Sequence, residues 1–160
     1  MSTIRRAAIE DADLLARIIR ESFAGPAKEF GLTPENAPTH PSNCTPEWIE
    51  RDFGKGVRYF ILEDDRLPCG CVAMEIPDPE FCYLERLAVL TGRRRKGFGR
   101  LLVQHVLDRA WAHGLRRVEI AIIAVNTDLQ LWYEQQGFAV TSTKSLPSLP
   151  FDVTFMSLDL

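Results

Sequence analysis

Read from the amino terminus, the apolar positions change spacing several times, and each change marks an element. Ile4 to Ile9 alternates as a short strand. Glu10, Asp11 and Asp13 then open a helix, acids suiting the positive end of its dipole, with Leu14, Leu15, Ile18, Ile19 and Phe23 at helical spacing. Between Gly25 and Cys44, Pro26, Pro34, Pro38 and Pro41 remove backbone donors and restrict the residues before them. A long, mobile connection without regular structure is expected there. Thr45-Pro46-Glu47 reads as an N-cap, a proline at the first helical position and an acid in the first turn of a short helix through Trp48, Ile49 and Phe53.

The second half is more regular. Tyr59 to Glu63 and Cys71 to Ile76 are strands around a hairpin connection at residues 64–68, and Tyr83 to Leu90 is another strand. Gly97 to His113 reads as a helix with Phe98, Leu101, Leu102, Val106, Ala110 and Trp111 on one face and Gly114 at its end. Val118 to Val125 is a nearly unbroken apolar run, expected as a central strand buried on both faces. Asn126 caps a helix from Thr127 to Gln136, and Phe138 to Thr143 and Phe151 to Leu158 are the last two strands.

The chain has 160 residues, 46% of them hydrophobic, which suits one domain over 1–160 with a single core. A net charge of -3 disfavours a polyanion as the main partner, so no nucleic acid is expected. No apolar run approaches the roughly 20 residues needed to span a bilayer, and Met1 to Arg6 lacks the apolar segment of a secretory signal. A soluble, cytoplasmic protein without a membrane partner is expected. Cys44, Cys69, Cys71 and Cys82 lack paired metal-ligand spacing, so they read as reduced thiols and no metal is expected.

Candidate chemistry concentrates between Leu84 and Leu102, where a strand runs into a basic glycine turn and then a helix. Unpaired N–H groups at a helix start lie at the positive end of its dipole and receive phosphate oxygens. Gly97 and Gly99 lack the β-carbons that keep such a group away, while Arg93, Arg94, Arg95, Lys96 and Arg100 add charge. A dinucleotide turn calls for glycine where Leu102 stands, and a P-loop calls for Lys followed by Ser or Thr after the second glycine.

The turn, with Arg94, Gly97 and Gly99 following Leu87-Ala88-Val89, resembles the Gln/Arg-x-x-Gly-x-Gly/Ala signature of the GNAT superfamily of acyl-CoA-dependent N-acyltransferases. The segment Asn126 to Phe138, with Trp132-Tyr133 and Gly137-Phe138, resembles that superfamily's second motif. The resemblance implies an α/β fold with a mixed, mostly antiparallel central sheet of about seven strands and about four helices. Two parallel strands, Tyr83 to Leu90 and Val118 to Val125, would splay apart into a cleft for acetyl-CoA.

The same resemblance assigns roles. Backbone groups of Leu87, Ala88 and Val89 would meet the pantetheine arm, and the turn Arg94-Arg95-Lys96-Gly97-Phe98-Gly99 with Arg100 would hold the pyrophosphate. Asn126 would contact the cofactor, cap the next helix, or do both. Tyr133 would protonate the leaving thiolate; its alternative is a half-buried tyrosine bonded elsewhere. Glu85 would be the general base, directly or through water, or else an ion-pair partner; on a strand it shares a face with Tyr83 and Leu87. His40 could help bind or deprotonate the amine, but it reads more readily as an exposed loop histidine.

The expected activity is acetyl transfer to a primary amine, of a small molecule rather than of a protein N-terminus or lysine. A non-catalytic acyl-CoA-binding domain is the alternative. Acceptor choice is expected in Gly25 to Cys44 and Ser142 to Pro150. Oligomeric state has no signature here, and a homodimer stays open as the commonest closed assembly.

Overall fold

The computed structural model describes residues 1–160. Strands β1 (Ser2–Arg6), β2 (Arg58–Asp64), β3 (Leu67–Asp78), β4 (Phe81–Val89), β5 (Arg117–Ile123), β6 (Ala139–Ser145) and β7 (Asp152–Asp159) form one sheet, and helices α1 (Ala12–Glu29), α2 (Pro46–Gly54), α3 (Phe98–Ala112) and α4 (Thr127–Gln135) pack on its faces. The order across the sheet is β1-β2-β3-β4-β5-β7-β6, antiparallel at every step except β4 to β5. This is the expected mixed, mostly antiparallel architecture. The β2–β3 hairpin turns on Asp65 and Arg66, at φ 50° and 72°. Two consecutive left-handed residues match the right-handed twist of the flanking strands.

Two apolar clusters divide the core. One face carries α3 and α4 over residues from β2 to β7, among them Phe60, Met74, Leu84, Val118, Ile120 and Met156. The other carries α1 and α2 over β2 to β4 only, around Tyr59, Ile61, Cys71 and Ala88. Strand β5 therefore differs from the expectation: Val118, Ile120 and Ile122 are buried under α3 and α4, while Ala121 on the opposite face is exposed. No helix covers that side, and the apolar run alone does not reveal how far a helix layer extends.

Three further expectations change. The first strand ends at Arg6, and Ile9–Asp11 turns as a short 3-10 helix because Asp11 draws the N–H of Ala8 and the guanidinium of Arg5 onto its carboxylate. In α3 the buried stripe is Phe98, Leu102, Val103, Val106 and Ala110; Leu101 and Trp111 point to solvent, 44% and 70% exposed. At 100° per residue both fall outside the stripe that the four-residue steps from Phe98 define, Leu101 beyond one edge and Trp111 beyond the other.

The third change concerns the proline-rich connection. Helix α1 continues through Gly25 and Pro26 to Glu29, and beyond it Ala37, His40 and Cys44 are buried and Pro41–Asn43 forms a 3-10 turn. Proline in a helix removes the hydrogen bond to the carbonyl four residues earlier. That carbonyl belongs to Ser22, and it accepts instead from Arg94 Nη2 at 2.9 Å. A partner distant in sequence thus compensates the break.

Under α2 lies a polar knot in the second cluster. Tyr59 donates to Asp52, and Arg86 Nη1 donates to both Asp52 and the Tyr59 hydroxyl oxygen. Burial and the Asp52 carboxylate push the Tyr59 phenol well up, so it stays a donor. Removing one partner from a buried ion pair strands the other. Asp52→Ala is therefore expected to lower the unfolding free energy by about 3 kcal/mol in urea titrations, with Tyr59→Phe losing less; an unchanged midpoint for Asp52→Ala would show that the knot adds no stability.

Candidate active site

Parallel pairing between β4 and β5 covers only Phe81–Arg117, Cys82–Val118 and Tyr83–Glu119. Both strands continue, β4 to Val89 and β5 to Ile123, but they no longer pair. The cause is visible in β4. Register with β3 slips between Ala73–Glu85 and Cys71–Ala88, so two residues, Arg86 and Leu87, oppose Val72. Arg86 sits at φ 51°. An extra residue in one strand bends it and reverses the facing of everything beyond.

This bulge corrects one expectation. Glu85 shares its face with Tyr83, opposite Cys82 and Leu84, but Leu87 packs toward the α3 and α4 cluster and Ala88 toward α1. Leu90 N–H donates to Cys69 O of β3 at 2.8 Å. By the alternation of an extended strand, the N–H groups of Leu87 and Val89 face away from β3, into the gap beside β5.

At the mouth of the gap lies the glycine turn. The first intrahelical bond of α3 runs from Leu101 N–H to Gly97 O at 3.1 Å, and the N–H groups of residues 95–100 have no acceptor within the protein. Arg95 and Gly97 are both left-handed, at φ 66° and 77°, the kind of turn that aims successive N–H groups into one anion-binding concavity. Gly99 has a packing role beside the expected one: a β-carbon there would meet Trp132 Cζ2 at 3.2 Å. The glycine lets α3 and α4 approach closely.

The basic residues of the turn divide by task. Arg94 Nε donates to Val89 O at 3.0 Å and Nη2 to Ser22 O, so its guanidinium ties the turn to β4 and α1. Arg93 bonds Asp64 at 3.0 Å, with Lys96 4.0 Å from the same carboxylate. Arg95, Lys96 and Arg100 are exposed, and Phe98 anchors the helix start in the core. Asn126 Oδ1 accepts from Leu129 N–H at 3.2 Å, capping α4.

Tyr133 and Glu85 lie on opposite faces of the sheet. Tyr133 is held between the rings of Trp132 and Phe138, at 5.0 and 5.4 Å, and is 5% exposed. Its hydroxyl makes no hydrogen bond within the protein, and burial pushes its pKa well up, so it is a protonated donor at neutral pH. Glu85 is raised to about 7, first by burial and then by the Glu75 carboxylate, opposed by Arg86. Glu75 stands diagonally across from Glu85 on β3, on the same face, at hydrogen-bonding range.

His40, expected as an exposed loop residue, is buried against Phe23 and bonds Ser42 through Nδ1 at 2.7 Å; burial lowers its pKa. It shapes the loop beside the site. The two segments expected to select the acceptor partly meet: Phe30, Leu32 and Asn36 line one cavity with Val125, Pro150 and Phe151. All four cysteines are free and buried, with Cys44 raised to about 11 and Cys82 to about 12 by burial, so none is a ready thiolate. No cluster of three or more His, Cys, Asp or Glu is placed to hold a metal, and no helix is long and apolar enough to cross a membrane.

Two site residues escape the linear reading, Arg86 and Glu75. Their signal is a break in phase: Cys82 and Leu84 alternate, then Leu87 and Val89 resume one residue late.

Comparison with known proteins agrees with the geometry. The family model described as Acetyltransferase (GNAT) family matches residues 21–138, and the chain belongs to that family. It is 28% identical over 146 residues to the amino-acid acetyltransferase of Neisseria meningitidis, covering 91% of this chain and 29% of that protein. It is 28% identical over 96 residues to the [ribosomal protein bS18]-alanine N-acetyltransferase of Salmonella typhimurium, covering 57% of this chain and 64% of that one. The chain thus spans less than a third of the length of the former and just under two thirds of the latter. In fold it is similar to the PaiA N-acetyltransferase of Thermoplasma acidophilum, solved in complex with coenzyme A, with a TM-score of 0.83 at 17% identity over 100% of this chain and 99% of that one.

The clamp by Arg94 is directly testable. Arg94→Ala removes both carbonyl contacts and is expected to lower the unfolding free energy by about 1 kcal/mol per bond lost, with Arg94→Lys recovering at most one. Urea unfolding identical to wild type in both variants would show that the turn is held by other means.

Proposed function

We propose that the protein is a cytosolic N-acetyltransferase that moves the acetyl group of acetyl-CoA to a primary amine of a small molecule, by direct attack with both substrates held in the site. The observation that carries this reading is the separation of β4 from β5 beyond Tyr83 and Glu119, with a turn of unpaired N–H groups at its mouth. A diphosphate fits that turn, and an extended amide-bearing arm fits an unpaired strand edge. The coenzyme A complex of the PaiA N-acetyltransferase, similar in fold, supports the choice of ligand. Four free cysteines suit a reducing compartment.

Acetyl-CoA supplies an activated thioester carbonyl. The protein's part is to place it and to move two protons. The turn at residues 95–100 holds the phosphates, Arg95, Lys96 and Arg100 add charge beside them, and Arg94 keeps the turn in register with β4. N–H groups of Leu87 and Val89 pair with the arm and polarise the carbonyl. Asn126 fixes the start of α4 at the open end of β5.

An amine must lose a proton before it attacks, because alkyl amines are largely protonated at neutral pH. Glu85 takes that proton, directly or through water, and a carboxylate raised to about 7 has a pKa suited to the exchange. As the new N–C bond forms and the C–S bond breaks, Tyr133 gives its proton to the departing sulfur, and the surplus proton on the new amide nitrogen passes back to the phenolate. The acid lies on the α4 side of the gap and the base on the α1 side, so the two transfers do not compete for one location.

Glu85 acts only as the carboxylate. The kcat/KM is therefore expected to rise with pH through a limb near 7, set by burial and by the charges of Glu75, Arg86 and Asp52. Glu85→Gln is expected to remove that limb, and Tyr133→Phe to cut kcat about a hundredfold with acetyl-CoA binding retained. Release of CoA thiol on adding amines reads both; wild-type rates in the two variants would exclude these residues from the chemistry.

A further inference from the structure

Arg86 occupies a costly position. It is a residue with a β-carbon held at φ 51°, in the left-handed region that side chains other than glycine seldom adopt. Its Nη1 is fully used by Asp52 and Tyr59, yet its Nε–H and Nη2–H groups have no acceptor in the protein. A guanidinium so placed is fixed in orientation and still presents a two-donor edge. Such an edge matches the two oxygens of a carboxylate.

The surroundings of that edge carry a charge surplus. A cavity of about 150 Å³ is lined by Thr39, Trp48, Arg51, Asp52, Lys55 and Arg86. Three cations face one carboxylate there, and Asp52 is already engaged by Arg86. Arg51 and Lys55 make no ion pair. Trp48, Arg51, Asp52 and Lys55 follow the three- and four-residue steps of one helix face, and the Arg86 guanidinium lies 5.6 Å from the Trp48 ring centroid.

The bulge explains why the guanidinium lining this cavity stands on the same side of the sheet as Glu85. Consecutive residues of an ordinary strand face opposite ways. Here Glu85 and Arg86 both project toward the α1 and α2 side, so an acid and a guanidinium stand next to each other. An α-amino acid bears an ammonium and a carboxylate on one carbon.

We propose that the acceptor is an amine with a neighbouring free carboxylate, a free α-amino acid, whose carboxylate sits on the Nε and Nη2 edge of Arg86 between Arg51 and Lys55 while its amine meets Glu85. This rests on the transferase reading above and narrows it. A peptide N-terminus lacks that anion, since its carboxyl is an amide. A diamine offers a cation to a cationic cavity.

The test measures CoA thiol release with the common free amino acids, with the carboxamide of each, and with short diamines. The preferred acceptor is expected to be a free amino acid with kcat/KM at least tenfold above that of its carboxamide. Arg51→Gln combined with Lys55→Gln, both on the exposed side of α2, should reduce that ratio several-fold, and Arg86→Gln should abolish it where circular dichroism shows a folded protein. Carboxamides equal to the acids, diamines preferred to both, or a ratio unchanged in the double variant would overturn this inference and leave the transferase intact. No release with any amine would sink both.

Discussion

A central pair of strands that stops pairing partway along is the constraint on which the rest of this molecule depends. Backbone groups inside a sheet ordinarily find partners in the neighbouring strand, and leaving them unpaired is costly. Between β4 and β5 the pairing ends at Tyr83 and Glu119 although both strands run on. The bulge at Arg86 produces this separation, and the Asp52–Tyr59–Arg86 knot holds the bulge in place from below. Fold stability and site geometry therefore share the same residues.

The opening is framed by parts of the chain far apart in sequence. Pro26 breaks a bond in α1 and thereby frees Ser22 O for Arg94, which reaches Val89 O with the same guanidinium. One side chain so joins the first helix, the end of β4 and the turn before α3. Gly99 lets Trp132 approach, and Trp132 in turn packs against Tyr133. The glycine turn and Tyr133 are thus positioned by one close helix contact. On the other face α1 and α2 stop short of β5 and leave its Ala121 side bare.

Much of this was legible in the sequence because it is local. The glycine turn, the helix that follows it, the Asn126 cap and the hairpin at Asp65-Arg66 depend on residues within a few positions of one another. What the sequence concealed is nonlocal. Arg86 bonds a residue 34 positions away, and Arg94 one 72 positions away. Pro26 looked like a helix breaker because its compensating donor lies in another element. Strict alternation puts Leu87 on the face of Glu85, and a one-residue bulge reverses it. The exposed face of β5 depends on how far two helices extend, which an apolar run does not encode.

The main-chain donors of the turn and the strand edge are the core of the proposed cofactor site. Amide signals of the isotopically labelled protein, followed as coenzyme A is titrated in, report on each of them. Lys96, Gly97 and Gly99 should shift and become slow to exchange together with Leu87 and Val89, at a single saturation point. Binding that leaves the turn amides unshifted and freely exchanging, while residues elsewhere respond, would contradict it.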